Sequence, residues 1–278
     1  IDAALRRAWR SLHTRHREEP KFAVISYGKL GGKELGYGSA LDLVFLFDDE
    51  HERAGEFYSR LSTRLNTWLS AQTGAGQLFD TDLRLRPNGD AGLIVSSIEA
   101  FHQYQIESAW VWEHQALTRA RFSAGDKAMG QAFEEIRIEV LCQPRDLAIL
   151  RDDVLAMRQK MYDAHATKGE QAQERFNLKH DRGGLIDVEF VVQYLVLGHS
   201  HQHPELTGNL GNLALLQIAA GLGLIPATLT EPVRGAYRHY RRIQHQLRLD
   251  DSERSVAPAS VATHIDAVKS LWQAVFET

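Results

Sequence analysis

Apolar residues in the first third of the chain fall into short runs bounded by glycine, proline or polar residues, which is the pattern of β-strands. Four segments show it: KFAVISYGKL (21–30), LDLVFLF (41–47), QLFDTDLRLRP (77–87) and AGLIVS (91–96). Between the second and third segments, apolar residues recur at helical spacing, so we predict a helix over residues 56–70. This part of the chain is therefore predicted to be a mixed α/β unit.

After residue 96 the pattern becomes helical, and no further strand is predicted. Ser96 and Glu99 have the spacing of a capping box that opens a helix. Later segments predict five more helices: Leu147 to Met161, and about 185–197, 208–221, 230–248 and 259–277. The polar segment ATKGEQAQER (166–175) has no period, which predicts a mobile loop.

These patterns divide the chain into three predicted parts. Residues 1–20 form an N-terminal helical segment, residues 21–125 form the α/β domain, and residues 126–278 form a helical bundle. The sequence has no internal repeat and no low-complexity segment. We therefore predict a small α/β domain followed by helices, with the boundary near residue 125.

The composition is that of a soluble globular protein, with 278 residues, 44% hydrophobic and 24% charged. No apolar run reaches the roughly 18 residues that cross a bilayer, and the polar, basic start does not resemble a signal peptide. One cysteine, Cys142, excludes an intrachain disulfide and favours a reducing cytoplasm. The chain does not begin with Met, so we expect it to be a fragment of a longer polypeptide.

The net charge is −4 and the pI is near 6.4, which gives no general attraction to nucleic acid. Basic residues do cluster in RHYRRIQHQLR (238–248), which we interpret as the solvated face of a helix. Neither nucleic acid nor a membrane is therefore expected as a partner.

Two of the predicted strands carry aspartates at alternating positions. Successive residues of a strand point to opposite faces, so Asp42 shares a face with position 40, and Asp82 shares one with Asp80, Arg84 and Arg86. If the two strands are neighbours, they bring Asp42 and Asp82 about 4.8 Å apart. Carboxylates this close repel each other unless a cation lies between them, and hard oxygen ligands suit Mg²⁺.

The segment GKLGGKELGYGS (28–39) has five glycines and precedes the first aspartate strand. Backbone N–H groups of such a segment can surround a phosphate, although it is neither a Walker A loop nor a GxGxxG fingerprint. The nucleotide-binding candidates are Gly31, Gly32, Lys33, Gly38, Ser39, Arg84, Arg86 and Lys179. The alternative is an ordinary tight turn beside a surface aspartate. The order of glycine turn, Asp strand, helix and Asp strand favours a phosphate and metal site.

Four segments resemble the family of glutamine synthetase adenylyltransferases: GKLGGKELGYGSALDLVFLFDD, DTDLRLRPNGDAGLIVSS, AWVWEHQALTRARF and GGLIDVEFVVQYLVL. The resemblance implies a nucleotidyltransferase (polymerase-β-like) α+β fold, with a mixed sheet followed by a C-terminal helical bundle. The spelling ELGYGS resembles the C-terminal half of that family, which attaches AMP, more than the half that removes it.

The resemblance also implies a two-metal mechanism in which AMP passes from ATP to a tyrosine hydroxyl of glutamine synthetase. Two Mg²⁺ ions, or Mn²⁺, would be held by position 40, Asp42 and Asp82, with Asp42 and Asp82 as catalytic residues. The family has aspartate where this chain has Ala40, and we interpret the alanine as an engineered replacement that cripples transfer. Arg84 and Arg86 would stabilise charge, or else form ion pairs with Asp80 and Asp82.

In the helical half, Asp187 and Glu189 resemble a family motif and are candidates for a second-domain cleft. The alternative is that both are solvent-side carboxylates of a helix with an apolar core face. The histidine run HSHQH (199–203) has no cysteine or carboxylate at ligand spacing, so no zinc site is expected there. The resemblance further implies regulation by the PII signalling protein and by glutamine.

Three other functions remain open. The chain could remove AMP from modified glutamine synthetase by phosphorolysis, although the ELGYGS spelling and the segment LWQAVFET argue against it. It could be a catalytically silent nucleotide-binding module, if Ala40 is natural. A small-molecule nucleotidyltransferase would share the strand pattern but lacks the long helical segments found here.

Overall fold

The computed structural model describes residues 1–253 and 255–277, and the chain divides into two compact units. The first unit comprises Ile1–Leu141, and the second begins at Cys142. This division falls later than the predicted domain boundary near residue 125, which stays a prediction. Together the units have the predicted α+β class, with a mixed sheet in the first and helices in the second.

The first unit contains six helices and seven strands in the order α1 (Asp2–Arg10), β1 (Phe22–Ser26), α2 (Gly28–Gly31), β2 (Leu41–Phe47), α3 (Ala54–Ser70), β3 (Gln72–Thr73), β4 (Gly76–Gln77), β5 (Thr81–Asp82), β6 (Val95–Ser97), α4 (Ile98–Glu107), α5 (Val111–Leu117), β7 (Arg121–Gly125) and α6 (Lys127–Leu141). The main sheet has the order β5-β2-β1-β7, and β6 pairs with the later part of β2. β1 is antiparallel to β2 and β7, whereas β5 and β6 are parallel to β2. The sheet is therefore mixed.

The two central strands are buried on both faces. On one face, Phe22 and Phe45 belong to a cluster that includes Trp9 of α1 and Tyr58 of α3. The residues of the opposite face pack with α4, α5 and α6: Ala23, Ile25, Val44 and Leu46. Strands covered on both faces read as continuous apolar runs, which explains why LDLVFLF has only one polar residue, Asp42.

The structure confirms the predicted helix over residues 56–70 and corrects five other predictions in this unit. QLFDTDLRLRP forms only the short β5, and AGLIVS only the end of a strand, since β6 begins at Val95. β7 is a strand that the sequence analysis did not predict. The cap of α4 is Ser97, whose hydroxyl accepts a hydrogen bond from the Ala100 backbone N–H, rather than Ser96. Within residues 1–20, only Asp2–Arg10 are helical.

Arg86 explains why the third strand is short. Its guanidinium donates hydrogen bonds to the carbonyls of Leu83 (2.8 Å), Gly92 (3.2 Å) and Asp90 (3.1 Å). Asn88 and Gly89 then adopt positive φ, which turns the chain away from the sheet. The Arg86 side chain therefore satisfies the Leu83 carbonyl, which a longer strand would have paired, and the carbonyls of the loop that follows.

The second unit contains six helices, α7 (Leu147–His165), α8 (Gln171–Glu174), α9 (Leu185–His199), α10 (Asn212–Gly221), α11 (Ala227–Leu249) and α12 (Ala262–Phe276), and two short strands, β8 (Phe176–Asn177) and β9 (Ser255–Val256). α9 packs against α7, α10, α11 and α12 and is buried along most of its length. A helix that is apolar on all sides must lie inside a bundle. The helices predicted from the sequence are confirmed, although the one near 208 begins at Asn212. The segment 166–175 contains the single helical turn α8.

None of the helices in the described ranges, 1–253 and 255–277, has both the length and the apolar character needed to cross a membrane.

Asp49, which follows β2, holds the segment after α1 against the sheet. Its carboxylate accepts hydrogen bonds from the Tyr58 hydroxyl (2.7 Å) and from His16 Nε2 (2.8 Å), and Arg17 lies 3.2 Å away. Burial alone would raise the pKa of Asp49, but the hydrogen bonds from Tyr58 and His16 outweigh it and lower the pKa to about 2. The ionised carboxylate is therefore stabilised in the folded state.

Replacing Asp49 by Asn is expected to lower the free energy of unfolding by about 2 kcal/mol at neutral pH. The folded pKa lies below the unfolded one, so the carboxylate's contribution is present above about pH 4 and is lost as pH falls towards about 2. Urea unfolding of both proteins at about pH 7 and about pH 3 should show the difference shrinking. A difference that is constant over this range would contradict the assignment.

Candidate functional site

The parallel pairing of β2 with β5 places two aspartates side by side. Leu41 is in register with Thr81, and Asp42 with Asp82. Neighbouring strands lie about 4.8 Å apart, and residues in register point to the same face. The structure therefore brings together the two carboxylates that the sequence analysis selected, while Leu41 and Leu43 are buried in the core.

Gly28 lies directly against Asp42 and is a site residue that the sequence analysis did not single out. The hydrogen bond from the Tyr27 N–H to the Asp42 carbonyl, 2.9 Å long, holds the end of β1 to β2 at this point. A Cβ at residue 28 would lie 2.1 Å from Asp42 Oδ2, and φ is +52°. Only glycine fits here. The one available signal was its position as the first glycine of the segment 28–39, at the end of a predicted strand.

The other glycines of the segment meet the backbone and side chain of Arg119. A Cβ at Gly31 would lie 2.2 Å from the Arg119 carbonyl oxygen, and one at Gly32 would lie 2.6 Å from Arg119 Nε. Gly38 has φ +61° and Lys33 has φ +60°, so both are in turn conformations. Ser39 Oγ accepts a hydrogen bond from the Gly36 N–H at 3.2 Å. Close packing and positive φ therefore explain the glycines of this segment without a bound phosphate. Phosphate binding by the segment stays a prediction.

Two arginines near β7 hold the glycine segment in place, and the sequence analysis missed both. Arg119 forms an ion pair with Glu34 (2.9 Å). Arg121 donates from Nε to the Gly31 carbonyl (3.0 Å) and from Nη2 to the Leu30 carbonyl (3.1 Å). The end of α2 therefore depends on the strand that the sequence analysis did not predict.

Replacing Arg121 by Met is expected to lower the free energy of unfolding by about 1–3 kcal/mol, because two carbonyls lose a charged donor. Urea denaturation of the whole chain measures this. Arg60, whose ion pair with Glu56 is exposed, provides the matched control: Arg60→Met should cost less than about 1 kcal/mol. Equal losses for the two variants would show that Arg121 does not brace the segment.

Asp82 is paired with Arg84. Arg84 Nη2 lies 2.5 Å from Asp82 Oδ2, and Arg84 Nε donates to both carboxylate oxygens at 3.0 Å. These hydrogen bonds lower the pKa of Asp82, so the carboxylate is ionised at neutral pH. The Arg84 side chain is 71% exposed, so its pairing with Asp82 can exchange for other partners at low cost. The Arg86 guanidinium donates hydrogen bonds to backbone carbonyls of its own loop.

Ala40 stands at the entrance to β2, beside the two carboxylates. The N–H of the next residue, Leu41, donates to the Asp80 carbonyl at 2.8 Å, which fixes the start of the strand. The alanine methyl offers no ligand. Among the residues that the structure describes, no group of three or more His, Cys, Asp or Glu side chains is arranged to hold a metal ion.

The residues present nevertheless fit a divalent cation with oxygen ligands. Asp42 and Asp82 supply two hard oxygen donors side by side, and the absence of a side chain at Gly28 lets the backbone lie against the Asp42 carboxylate. Two carboxylates are one fewer than the resemblance implies.

The candidates of the second unit have different surroundings. Asp187 is buried, and its two oxygens accept hydrogen bonds from Arg158 Nε (2.5 Å) and the Gly183 N–H (2.6 Å). The interpretation of Asp187 as a solvent-side carboxylate is therefore wrong. Glu189 accepts a hydrogen bond from the Tyr237 hydroxyl at 3.3 Å. The backbone N–H of Lys179 donates a hydrogen bond to Asn177 Oδ1. Roles for Asp187, Glu189 and Lys179 in a cleft stay predictions.

Comparison with protein families gives two matches. The model described as glutamate-ammonia ligase adenylyltransferase matches residues 1–136. The model described as the GlnD PII-uridylyltransferase matches residues 154–256. The matched ranges fall within the first and second units respectively.

Curated relatives align with nearly the whole chain. Proteins named bifunctional glutamine synthetase adenylyltransferase/adenylyl-removing enzyme are 63% identical over 276 residues in Aromatoleum aromaticum and 56% identical over 278 residues in Chromobacterium violaceum. The Nitrosomonas europaea protein of the same name is 52% identical over 296 residues. The alignments cover 99–100% of this chain and 29–31% of the relatives, so the chain spans about a third of their length.

Proposed function

Because the chain belongs to the family of bifunctional glutamine synthetase adenylyltransferase/adenylyl-removing enzymes, we propose that it transfers AMP from ATP to a tyrosine hydroxyl of glutamine synthetase. The observation that carries the proposal is the register of Asp42 with Asp82 on adjacent parallel strands, next to Gly28. A pair of carboxylates at the end of a glycine-rich segment is suited to holding metal-bound phosphates.

In the proposed reaction, the tyrosine oxygen forms a bond to the α-phosphorus of ATP, the bond from that phosphorus to the bridging oxygen breaks, and pyrophosphate leaves. Asp42 and Asp82 would hold divalent cations, two Mg²⁺ ions or Mn²⁺, which supply charge stabilisation to the phosphates when bound. The proton of the tyrosine hydroxyl must be accepted by a base or by water.

Asp82 is better suited to binding a metal than to accepting that proton. The hydrogen bonds from Arg84 lower its pKa, and a carboxylate with a low pKa is a weak general base at neutral pH. Arg84 is an exposed cation paired with Asp82, and on metal binding its guanidinium could turn from Asp82 to the phosphates of ATP. Arg86, which is held by its loop, would contribute by shaping that loop.

Phosphorolytic removal of AMP is the second candidate, because the names of the relatives include both reactions. The ELGYGS spelling favours transfer. If Ala40 is the natural residue, a silent nucleotide-binding role becomes the third candidate. We further propose that the enzyme works in the cytoplasm and responds to glutamine and to the PII protein. The match of residues 154–256 to a PII-uridylyltransferase model supports a link to PII.

The test uses the Ala40→Asp form, which has the full set of carboxylates. Purified glutamine synthetase is incubated with ATP labelled in the α-phosphate, with and without Mg²⁺, and label on the target tyrosine is measured by mass spectrometry. We expect metal-dependent labelling. A parallel assay supplies adenylylated glutamine synthetase with phosphate and follows ADP formation. ADP formation without labelling would replace the proposal by the removal reaction, and inactivity in both assays would favour the silent module.

A further inference from the structure

The second unit contains a cavity of about 790 Å³ lined by residues of α7, of α12 and of the chain entering α9. Its volume is in the range of small-molecule sites. Leu155, Ala156 and Trp272 form an apolar wall. The polar part of the lining includes the side chains of Gln159, Gln273, Arg151, Arg182 and Lys269.

The three cations of the lining are not neutralised by carboxylates. Among the described residues, Arg151, Arg182 and Lys269 form no ion pair, and the buried Nε of Arg151 has no hydrogen-bond partner. The cavity is therefore lined by three cationic side chains that form no direct ion pair with a residue the structure describes.

Arg182 is held in position by neutral partners. Its Nη2 donates to Gln159 Oε1 at 2.7 Å, and its guanidinium lies 5.1 Å from the ring centre of Tyr162 and 5.3 Å from that of Trp272. Burial and the nearby Arg158 lower the pKa of Arg182. Aromatic rings and an amide fix the orientation of the guanidinium, and the carboxylates of Asp187 and Asp163 act on its charge without forming a direct ion pair with it.

The carboxylates at the cavity do not remove this excess charge. Asp187 lines the cavity, but both of its oxygens are taken by Arg158 and the Gly183 N–H. Glu277 is the other carboxylate of the lining, and it is exposed to solvent. The cavity therefore presents positively charged side chains next to an apolar wall.

From this arrangement we infer that the cavity binds a small organic oxyanion, a phosphate or carboxylate attached to an apolar or planar body. The anionic group would be held by Arg151, Arg182 and Lys269, and the body would lie against Leu155 and Trp272. Charged donors to an oxyanion form the stronger class of hydrogen bond, and the buried Arg151 Nε would gain a partner. The site takes no residue from the pair Asp42 and Asp82 and is independent of the proposed reaction.

Isothermal titration of the whole chain in EDTA tests this inference with three probes: phenyl phosphate, phenylacetate and benzyl alcohol. Chelation removes metal ions from the aspartate pair, so metal-assisted phosphate binding there does not contribute. We expect saturable binding of at least one of the two anions and none of the neutral alcohol. The anion that binds identifies the ligand as phosphate-bearing or carboxylate-bearing.

Arg151→Gln and Lys269→Gln are each expected to weaken binding of that anion by about tenfold. Arg242→Gln, which removes an exposed charge on α11 outside the cavity, is the matched control and should leave binding unchanged. Lys269 is exposed, so its variant should keep the wild-type unfolding midpoint and report on binding alone. Failure of both anions to saturate below about 10 mM, or an equal loss in Arg242→Gln, overturns the inference.

Discussion

Replacing Ala40 by Asp is expected to raise the rate of AMP transfer by about a thousandfold while changing the KM for ATP by less than about tenfold. The reason is the number of ligands. Asp42 and Asp82 alone provide two carboxylates at the start of β2, and position 40, two residues before Asp42, is where the resemblance implies a third. A catalytic metal ligand contributes several kcal/mol to the transition state, and about 4 kcal/mol corresponds to a thousandfold in rate.

The KM for ATP should respond less, because ATP brings phosphate oxygens as ligands for the ion that accompanies it. The missing carboxylate at Ala40 would then weaken mainly the binding of the ion next to the attacking hydroxyl. Weaker binding of that ion lowers kcat. Initial rates over a range of ATP concentrations separate the two parameters. Ala40→Asn is the matched control: it has nearly the same shape without the charge and should recover little of the rate.

Two results would contradict this account. A rate for the Ala40 chain within about tenfold of the Ala40→Asp form would show that position 40 is not a metal ligand. Equal recovery by Ala40→Asn would show that shape at the strand entrance matters and charge does not. Asp42→Asn in the Ala40→Asp background should return the rate to a low level, since the same ions lose another carboxylate.

The central pairing of the site followed from the sequence because it depends on short-range rules. Alternation along two strands put Asp42 and Asp82 each on a defined face, and the apolar run around Asp42 indicated a buried strand. The register that joins them then needed only that the two strands be neighbours. The fold class followed for a related reason, because short apolar runs bounded by glycine and proline indicate strands, whereas apolar residues at helical spacing over longer segments indicate helices.

The residues that the sequence did not show act over long distances. Arg121 reaches carbonyls about 90 positions earlier in the chain, and nothing in its local pattern indicates this. β7 has only two apolar side chains, Phe122 and Ala124, and owes its extended form to pairing with β1. In the same way, the alternation at Leu83 and Leu85 predicted a longer third strand, but hydrogen bonds from the Arg86 guanidinium stabilise a turn there.

In the second unit, Asp187→Asn is expected to lower the free energy of unfolding by about 3–5 kcal/mol. Arg158 is fully buried and lies 2.5 Å from Asp187, so loss of the negative charge leaves a buried guanidinium without its counter-ion. The backbone at the start of α9 also loses a charged acceptor for the Gly183 N–H. Urea denaturation followed by the circular dichroism of the helices measures the effect.

Two further variants decide whether the buried charge is the cause. Glu253→Gln breaks the exposed ion pair with Arg175 and should cost less than about 1 kcal/mol. Arg158→Met combined with Asp187→Asn should cost less than the sum of the single variants, because the uncompensated guanidinium is gone. Additive losses would mean that the two side chains act separately. A loss below about 1 kcal/mol for Asp187→Asn would mean that water reaches Arg158. The ion pair would then not explain why the segment GGLIDVEF carries acidic residues.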